Sequence, residues 1–326
     1  MQNCFRVVEN FATVSFNVIP GSDAQLFNFQ FVHFRDNKTG IIMKIKAITL
    51  NIIFILTATA LNYSFAQEQY EANKLWTTEK VFNVPESVYY NEDGDILYVA
   101  NINGKPTQED GNGFISKLHM DGSMETLKWI EGLSAPKGMG MANGDLYVTD
   151  INEVVVIDVE ENKISKRYKA KNAQFLNDIT VDKHGRIYIS DMQTGALYRI
   201  ENDKMDIWFP VGSFNRPNGL NYHQNKILLG TNGRIYSIDP ENKTKSVIAE
   251  VDVSVDGLEV RRNGDLIFSD WSGKVQITPG DHKQSFVLFD TSEQKINAAD
   301  IHFIQDKELL LVPTFFDNRV MGYKIQ

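Results

Sequence analysis

Two carboxylates, two amides and one ammonium stand at matched places in a motif that recurs along this chain. Glu86 lies in Pro85-Glu86-Ser87, Asn177 in Leu176-Asn177-Asp178, Asn218 in Pro217-Asn218-Gly219 and Asp256 in Val255-Asp256-Gly257. Lys137 in Pro136-Lys137-Gly138 and Ala299 in Ala298-Ala299-Asp300 complete the series. If the matched residues meet on one axis, unpaired carboxylates repel and raise one another's pKa unless a cation neutralises them. A hard dication suits the set: Ca²⁺ takes about six to eight oxygens, including carboxylate and amide oxygens, and water or substrate fills what remains. Mg²⁺ demands stricter geometry and keeps more water. Zinc and copper lack their ligands, because the six His (33, 119, 184, 223, 282 and 302) are scattered and none holds a motif position. The expected cofactor is one calcium ion on Glu86, Asn177, Asn218 and Asp256. Asn, Asp and Gly are also ordinary turn residues, so a wet channel with purely structural polar residues is the alternative.

The repeat says what positions them. Successive middle residues are 51, 40, 41, 38 and 43 apart. Each motif leads into a short apolar strand: DILYVAN (95–101), DLYVTD (145–150), RIYISD (186–191), KILLGT (226–231), DLIFSD (265–270) and ELLLVPT (308–314). Third strands follow at 113–120, 153–159, 196–201, 234–239, 274–279 and 319–325, rich in Val, Ile, Tyr and Phe. Asp-Gly or Asn-Gly at 93–94, 143–144 and 263–264 suits tight hairpins. Nothing reads as a long amphipathic helix. A period near 40 built of strands and turns means propeller blades. The expected fold is all-β, a six-bladed β-propeller, its last blade closed by an N-terminal strand within 75–83, so that no sheet edge stays free.

In that fold the first strand of each blade lines the channel, and the six middle residues ring one mouth. The pocket walls then come from 101–113, 150–152, 191–195, 231–233, 270–273 and 314–318. Lys137 is the awkward member, since an ammonium repels a dication. It either bends outward to the mouth, to meet an anionic substrate group, or pairs with Glu86 or Asp256 in place of the metal; the first is favoured. Asp150, Asp191 and Asp270 recur at strand ends and read as turn residues. Trp271, Phe315 and Phe316 suit the pocket wall, although aromatic residues more often pack a core. The loop 101–113 suits a lid or a plain solvated insertion.

The N-terminus reads as separate from this domain. Met43, Lys44 and Lys46, the apolar run Ala47 to Leu61 and then Ser64-Phe65-Ala66 describe a secretory signal peptide over 43–66, cut after Ala66. Residues 1–42 read as upstream sequence ahead of the true start, and 67–326 as the propeller domain. The expected location is the periplasm or outside the cell. Cys4, the only cysteine, precedes the cut, so the exported part relies on its core rather than on disulfides. Removing 1–66 takes away five of 33 basic and three of 42 acidic residues and leaves a net charge of −11. That balance excludes nucleic acid and anionic membranes as partners. A small-molecule substrate and a monomer are expected.

The quartet in its motifs, Pro85-Glu86-Ser87, Phe175-Leu176-Asn177-Asp178, Arg216-Pro217-Asn218-Gly219-Leu220 and Val255-Asp256-Gly257-Leu258, resembles the SMP-30/gluconolactonase/LRE-like family of six-bladed calcium propellers. The resemblance covers nearly all of 67–326; each motif alone is weak, and four in order at blade spacing are fairly specific. It implies calcium on Glu86, Asn177, Asn218 and Asp256, and hydrolysis of a lactone, ester or phosphotriester. Asp256 would serve as base or nucleophile, with Asp256 or Glu86 managing protons; Lys137, Phe175, Asp178 and Trp271 would meet the substrate. Sugar-lactone members often carry Arg where this chain has Phe175, which points to a less polar or differently charged ligand. The leading reading is an exported Ca²⁺-dependent hydrolase; the alternative is a non-catalytic propeller that binds a ligand or protein. Nucleophile-elbow, phosphate-loop and Cys-based motifs are absent from the sequence.

Overall fold

The computed structural model describes residues 70–326 and, near the N-terminus, only a short antiparallel pair, β1 (Phe5–Arg6) with β2 (Thr13–Val14). Contacts divide the chain into two compact units, Met1–Tyr63 and Ser64–Gln326, and the second carries everything that follows. The proposed signal peptide, its cut and Cys4 lie outside the described residues. Among the described residues no helix is long and apolar enough to cross a membrane.

Strands follow one another in antiparallel groups. β4 (Pro85–Asn91), β5 (Ile96–Asn101), β6 (Gly113–His119) and β7 (Met124–Leu133) form the first sheet. The second is β8 (Pro136–Ala142), β9 (Asp145–Asp150), β10 (Glu153–Asp158) and β11 (Lys163–Lys169). The third is β12 (Leu176–Val181), β13 (Ile187–Asp191), β14 (Ala196–Glu201) and β15 (Lys204–Phe209). Next come β16 (Leu220–His223), β17 (Lys226–Gly230), β18 (Asn232–Ile238), β19 (Lys245–Val260), β20 (Leu266–Asp270), β21 (Lys274–Thr278) and β22 (Phe286–Asp290) in one seven-stranded sheet. The 16-residue β19 makes it continuous: its first part pairs with β18 and Val255–Val260 pairs with β20. No Pro or Gly interrupts Lys245 to Asp256, so nothing in the chain forces a break there.

The last sheet joins β23 (His302–Ile304), β24 (Leu309–Pro313) and β25 (Val320–Ile325) to β3 (Ala72–Thr77) from the other end of the chain. The pairing strand therefore starts earlier than the expected 75–83, because Trp76 seats against Gly322, where a Cβ would lie 2.4 Å from its ring. The other second and third strands fall within two residues of their expected bounds. Of the three expected tight turns only Asn143-Gly144 has both residues at positive φ, 53° and 86°, as a two-residue hairpin requires. At 93–94 the left-handed residue is Asp95, at φ 48°, so the turn is longer.

The strands that open each group touch in cyclic order: β4 with β8, β8 with β12, β12 with β16, β16 with β19, β19 with β23 and β23 with β4. Asp300 N–H donates to Glu86 O at 3.0 Å across the last of these joints. Six apolar clusters lie between neighbouring four-strand groups, one of them joining Phe82, Val88 and Leu97 to Leu309, Leu311 and Val320. Middle strands such as β9 and β10 are buried along almost their whole length, whereas outer β11 alternates exposed and half-buried residues. Burial of apolar area between the groups is the main stabilising term.

Candidate metal and substrate site

Glu86, Lys137, Asn177 and Asp256 share a local distortion. The ladder shifts register between Pro85 and Ser87, between Pro136 and Met139, between Leu176 and Ile179, and between Val255 and Leu258. Each of the four residues falls inside its own β-bulge, which takes it out of regular pairing and re-aims its side chain. Asn218 stands just ahead of β16, its N–H donating to Gly230 O at 2.9 Å. Hydroxyls then fasten the motifs to neighbouring strands: Thr149 Oγ1 donates to Asn177 O at 2.6 Å, and Ser269 Oγ to Ala299 O at 2.7 Å. Small residues let the inner strands close up. A Cβ on Gly138 would lie 2.5 Å from Asp178 Cα, and one on Gly257 2.3 Å from Ile301 N.

All four expected ligands line one cavity of about 440 Å³, together with Lys137, Phe175 and Trp271. Asn218 Nδ2 donates to Asp256 Oδ1 at 2.6 Å. Glu86 Oε2 and Asn218 Oδ1 are buried with no hydrogen-bond partner. Burial, and then the charge of Asp256, hold Glu86 well above the usual carboxylate range, with Lys137 opposing. Burial pushes Asp256 up to about 7, with the Asn218 hydrogen bond opposing. Two partnerless buried oxygens and two carboxylates raised by burial would be satisfied and neutralised by a cation, and the donor set fits one. Among the described residues no three of His, Cys, Asp and Glu gather to hold a metal, so two carboxylates here depend on amide oxygens to complete a shell.

Lys137 lines the cavity from within. It is 1% exposed, so it does not bend out to the mouth, and no ion pair reaches it among the described residues. Its Nζ donates to Ala135 O at 2.9 Å and lies 4.5 Å from the Phe175 ring centroid. Burial pulls it down to about 8, against the pull of Glu86 and Asp150. Asp178 is placed elsewhere: its carboxylate accepts Ile179 N–H at 2.6 Å and Leu220 N–H, and it lines a small inner space with Glu259 and Asp300. Burial raises it to about 8. It adjoins Asn177, yet it does not line the substrate cavity.

The recurring strand-end aspartates divide. Asp150 accepts Ser134 N–H at 2.8 Å and Ala135 N–H at 2.7 Å, and Asp191 accepts Gln174 N–H at 3.0 Å and Phe175 N–H at 3.2 Å. Both tie down the loop entering a motif, the turn role expected of them. Asp270 has no such loop to hold, because β19 enters its motif as unbroken strand. Its carboxylate accepts one N–H among the described residues, that of Ser272 within its own turn at 3.0 Å, and lines the cavity beside Asp256. The sequence placed 270–273 on the pocket wall but read Asp270 itself as a turn residue, because the repeat put it in the same column as Asp150 and Asp191; the absent breaker before Val255 was the signal for a further role.

The rest of the wall is mostly apolar, with Arg216 and Ser254 the exceptions. Loops 101–113, 191–195, 270–273 and 314–318 contribute Ile102, Pro106, Met192, Trp271, Phe315 and Phe316, while 150–152 and 231–233 contribute none. Arg216, at φ 51°, was also missed and lines the cavity, Nη2 donating to Met192 Sδ at 3.5 Å. A larger groove of about 610 Å³ lies at the opposite ends of β4 and β8, around Asn91 and Asn143, away from the ring.

An all-β chain of successive antiparallel sheets, with oxygen donors gathered where their inner strands begin, defines a propeller-like protein with a polar centre. It belongs to the SMP-30/gluconolactonase/LRE-like family, whose model matches residues 84–285. Among solved structures, a gluconolactonase from Xanthomonas campestris is 16% identical, with 79% of this chain and 88% of that one covered at a TM-score of 0.58. A catalytically inactive virginiamycin B lyase from Staphylococcus aureus, with quinupristin, is 15% identical, with 78% and 98% covered at a TM-score of 0.55. At these identities the likeness is one of fold. No curated protein matches the sequence.

Proposed function

We propose that this chain is a six-bladed, ring-closed propeller that binds one calcium ion on Glu86, Asn177, Asn218 and Asp256 and hydrolyses a lactone, ester or phosphotriester. The cyclic contacts of the inner strands and the β3–β25 pairing support the ring. The observation that carries the metal is the pair of partnerless buried oxygens, Glu86 Oε2 and Asn218 Oδ1, on one cavity wall. Bound there, the cation would polarise a carbonyl or phosphoryl oxygen and stabilise developing negative charge.

The protein's own groups supply the rest. Asn218 holds Asp256 by one oxygen, which fixes the carboxylate's orientation and leaves the other oxygen to take a proton from water or to attack. Glu86, in the same cavity, balances charge and is the second proton carrier. The apolar wall excludes bulk water and strengthens each of these interactions. We also read the chain as exported, with residues 43–66 as its signal, which N-terminal sequencing of the secreted form tests.

A panel of lactones, aryl esters and phosphotriesters assayed with wild type and Asp256→Ala separates enzyme from binder. Loss of at least about 100-fold in turnover in the variant is expected. Equal rates, or no turnover of any panel member, would leave a ligand-binding propeller.

A further inference from the structure

The cavity is divided by charge across its axis. Lys137 opens β8, Phe175 precedes β12 and Arg216 precedes β16, so the cationic arc centres on the β12 group. In the cyclic order of inner strands the group opposite β12 is β23, and its loop supplies Phe315 and Phe316. Trp271, from the neighbouring group, meets both at ring separations of 5.4 and 5.8 Å, and they meet each other at 4.8 Å, all edge-on. Trp271 is 43% and Phe316 63% exposed, an aromatic rim left open to water. An exposed apolar patch at a pocket mouth marks a surface that a ligand covers.

Beneath this rim the wall is held firm. Val84, Ile151 and Phe315 sit at φ 55°, 57° and 47° and pack with Ile102, Ala135 and Ala299 in one small apolar cluster. Left-handed backbone at β-branched and aromatic residues costs free energy and clusters at sites of function. The cationic arc, by contrast, lacks ion pairs among the described residues. On the side of Trp271, Phe315 and Phe316 the wall offers a polyol few hydrogen-bond partners. The charges lining the cavity are Glu86, Asp256 and Asp270 against Lys137 and Arg216. A bound dication makes the lining positive by one charge.

Building on the hydrolase reading, we propose that the pocket takes an amphipathic anion. The substrate is a lactone or ester with an aryl or alkyl body on the Trp271–Phe315–Phe316 wall and a free carboxylate at Lys137 and Arg216. Neutral sugar lactones are poor ligands.

Calorimetric titration of the purified protein with naphthalene-2-carboxylate, naphthalene-2-carboxamide and gluconate tests this, with calcium and with chelator. The carboxylate should bind about tenfold tighter than the carboxamide, and gluconate weakest. Lys137→Met and Arg216→Gln should each erase most of that preference while carboxamide binding stays. Trp271→Ala should weaken both naphthyl ligands alike, by about three- to tenfold. If Lys137→Met does not fold, the exposed Arg216 variant carries the same test. A preference unchanged in the charge variants and lost on chelation would place the anion on the metal and overturn the proposal; so would gluconate binding tightest. None of these ligands is hydrolysed. Binding with the expected preference but no turnover of any ester keeps this inference and defeats the hydrolase, and turnover of neutral lactones without the preference does the reverse.

Discussion

Asp256 shows what the ring does to its own carboxylates. Burial takes it from an ordinary 3.8 to about 7, so the folded metal-free protein keeps a proton that the unfolded chain has already released. A group of this kind makes stability fall as pH rises from about 4 to about 7, and Glu86, also raised, works in the same direction. Asp239, lowered to about 2 by Lys226 and neighbouring N–H groups, acts oppositely, but its stabilisation is lost only on acidification below about 4. Melting in chelator should therefore show Tm declining across pH 4 to 7, and excess calcium should reduce the decline to the part that Asp178 and Asp300, raised by burial outside the quartet, contribute. A rise in Tm over that window without metal would contradict the assignment. The ring residues were legible as a column of oxygen donors; Asp178 was misplaced because side chains alternate along a strand, so the neighbour of a ring residue faces another way.

At the scale of elements, the bulged starts of the inner strands do the positioning, and their tolerance is small. Gly138→Ala places a methyl 2.5 Å from Asp178 Cα and 2.6 Å from Asn177 O, so backbone must move. We expect a loss of ~1–3 kcal/mol by denaturant unfolding, with weaker calcium binding because Asn177 moves. The strand-end aspartates give a paired prediction. Asp150→Asn removes a carboxylate that holds two N–H groups, that of Ala135 buried and that of Ser134 part-buried, and should cost ~1–3 kcal/mol. Asp270→Asn should leave Tm nearly unchanged and alter ligand binding instead. Equal destabilisation of both would return Asp270 to a turn role. Strand spacing and type were readable from the repeat. The bulges were not, because a register shift exists only between two strands and leaves no mark on one.

For the whole molecule, the proposed closure rests on β3. It pairs with β25 from Ala72 to Thr77 and brings Trp76 onto Gly322. Removing the chain up to Thr77 should expose the edge of β25, lower Tm sharply and promote self-association, followed by scanning calorimetry and light scattering. A truncated protein as stable and monodisperse as wild type would show that the ring does not depend on this strand. That an N-terminal strand joins the last sheet was legible in the repeat, which supplies three strands there; its position was not, because Trp76 seats on a glycine far away in sequence. Beyond the proposed closure, the functional reading depends on the proposed cation joining Glu86, Asn177, Asn218 and Asp256. Calcium titration of chelator-stripped protein, read by calorimetry and Tm, tests this most directly for wild type, Glu86→Gln and Asp256→Asn. One ion per chain should bind wild type and raise its Tm, each variant should bind at least about tenfold more weakly, and near neutral pH the metal-free variants should melt above metal-free wild type because folding no longer has to take up a proton on that carboxyl. Stripped wild type that takes up no calcium, or variants that bind it equally well, would contradict the account.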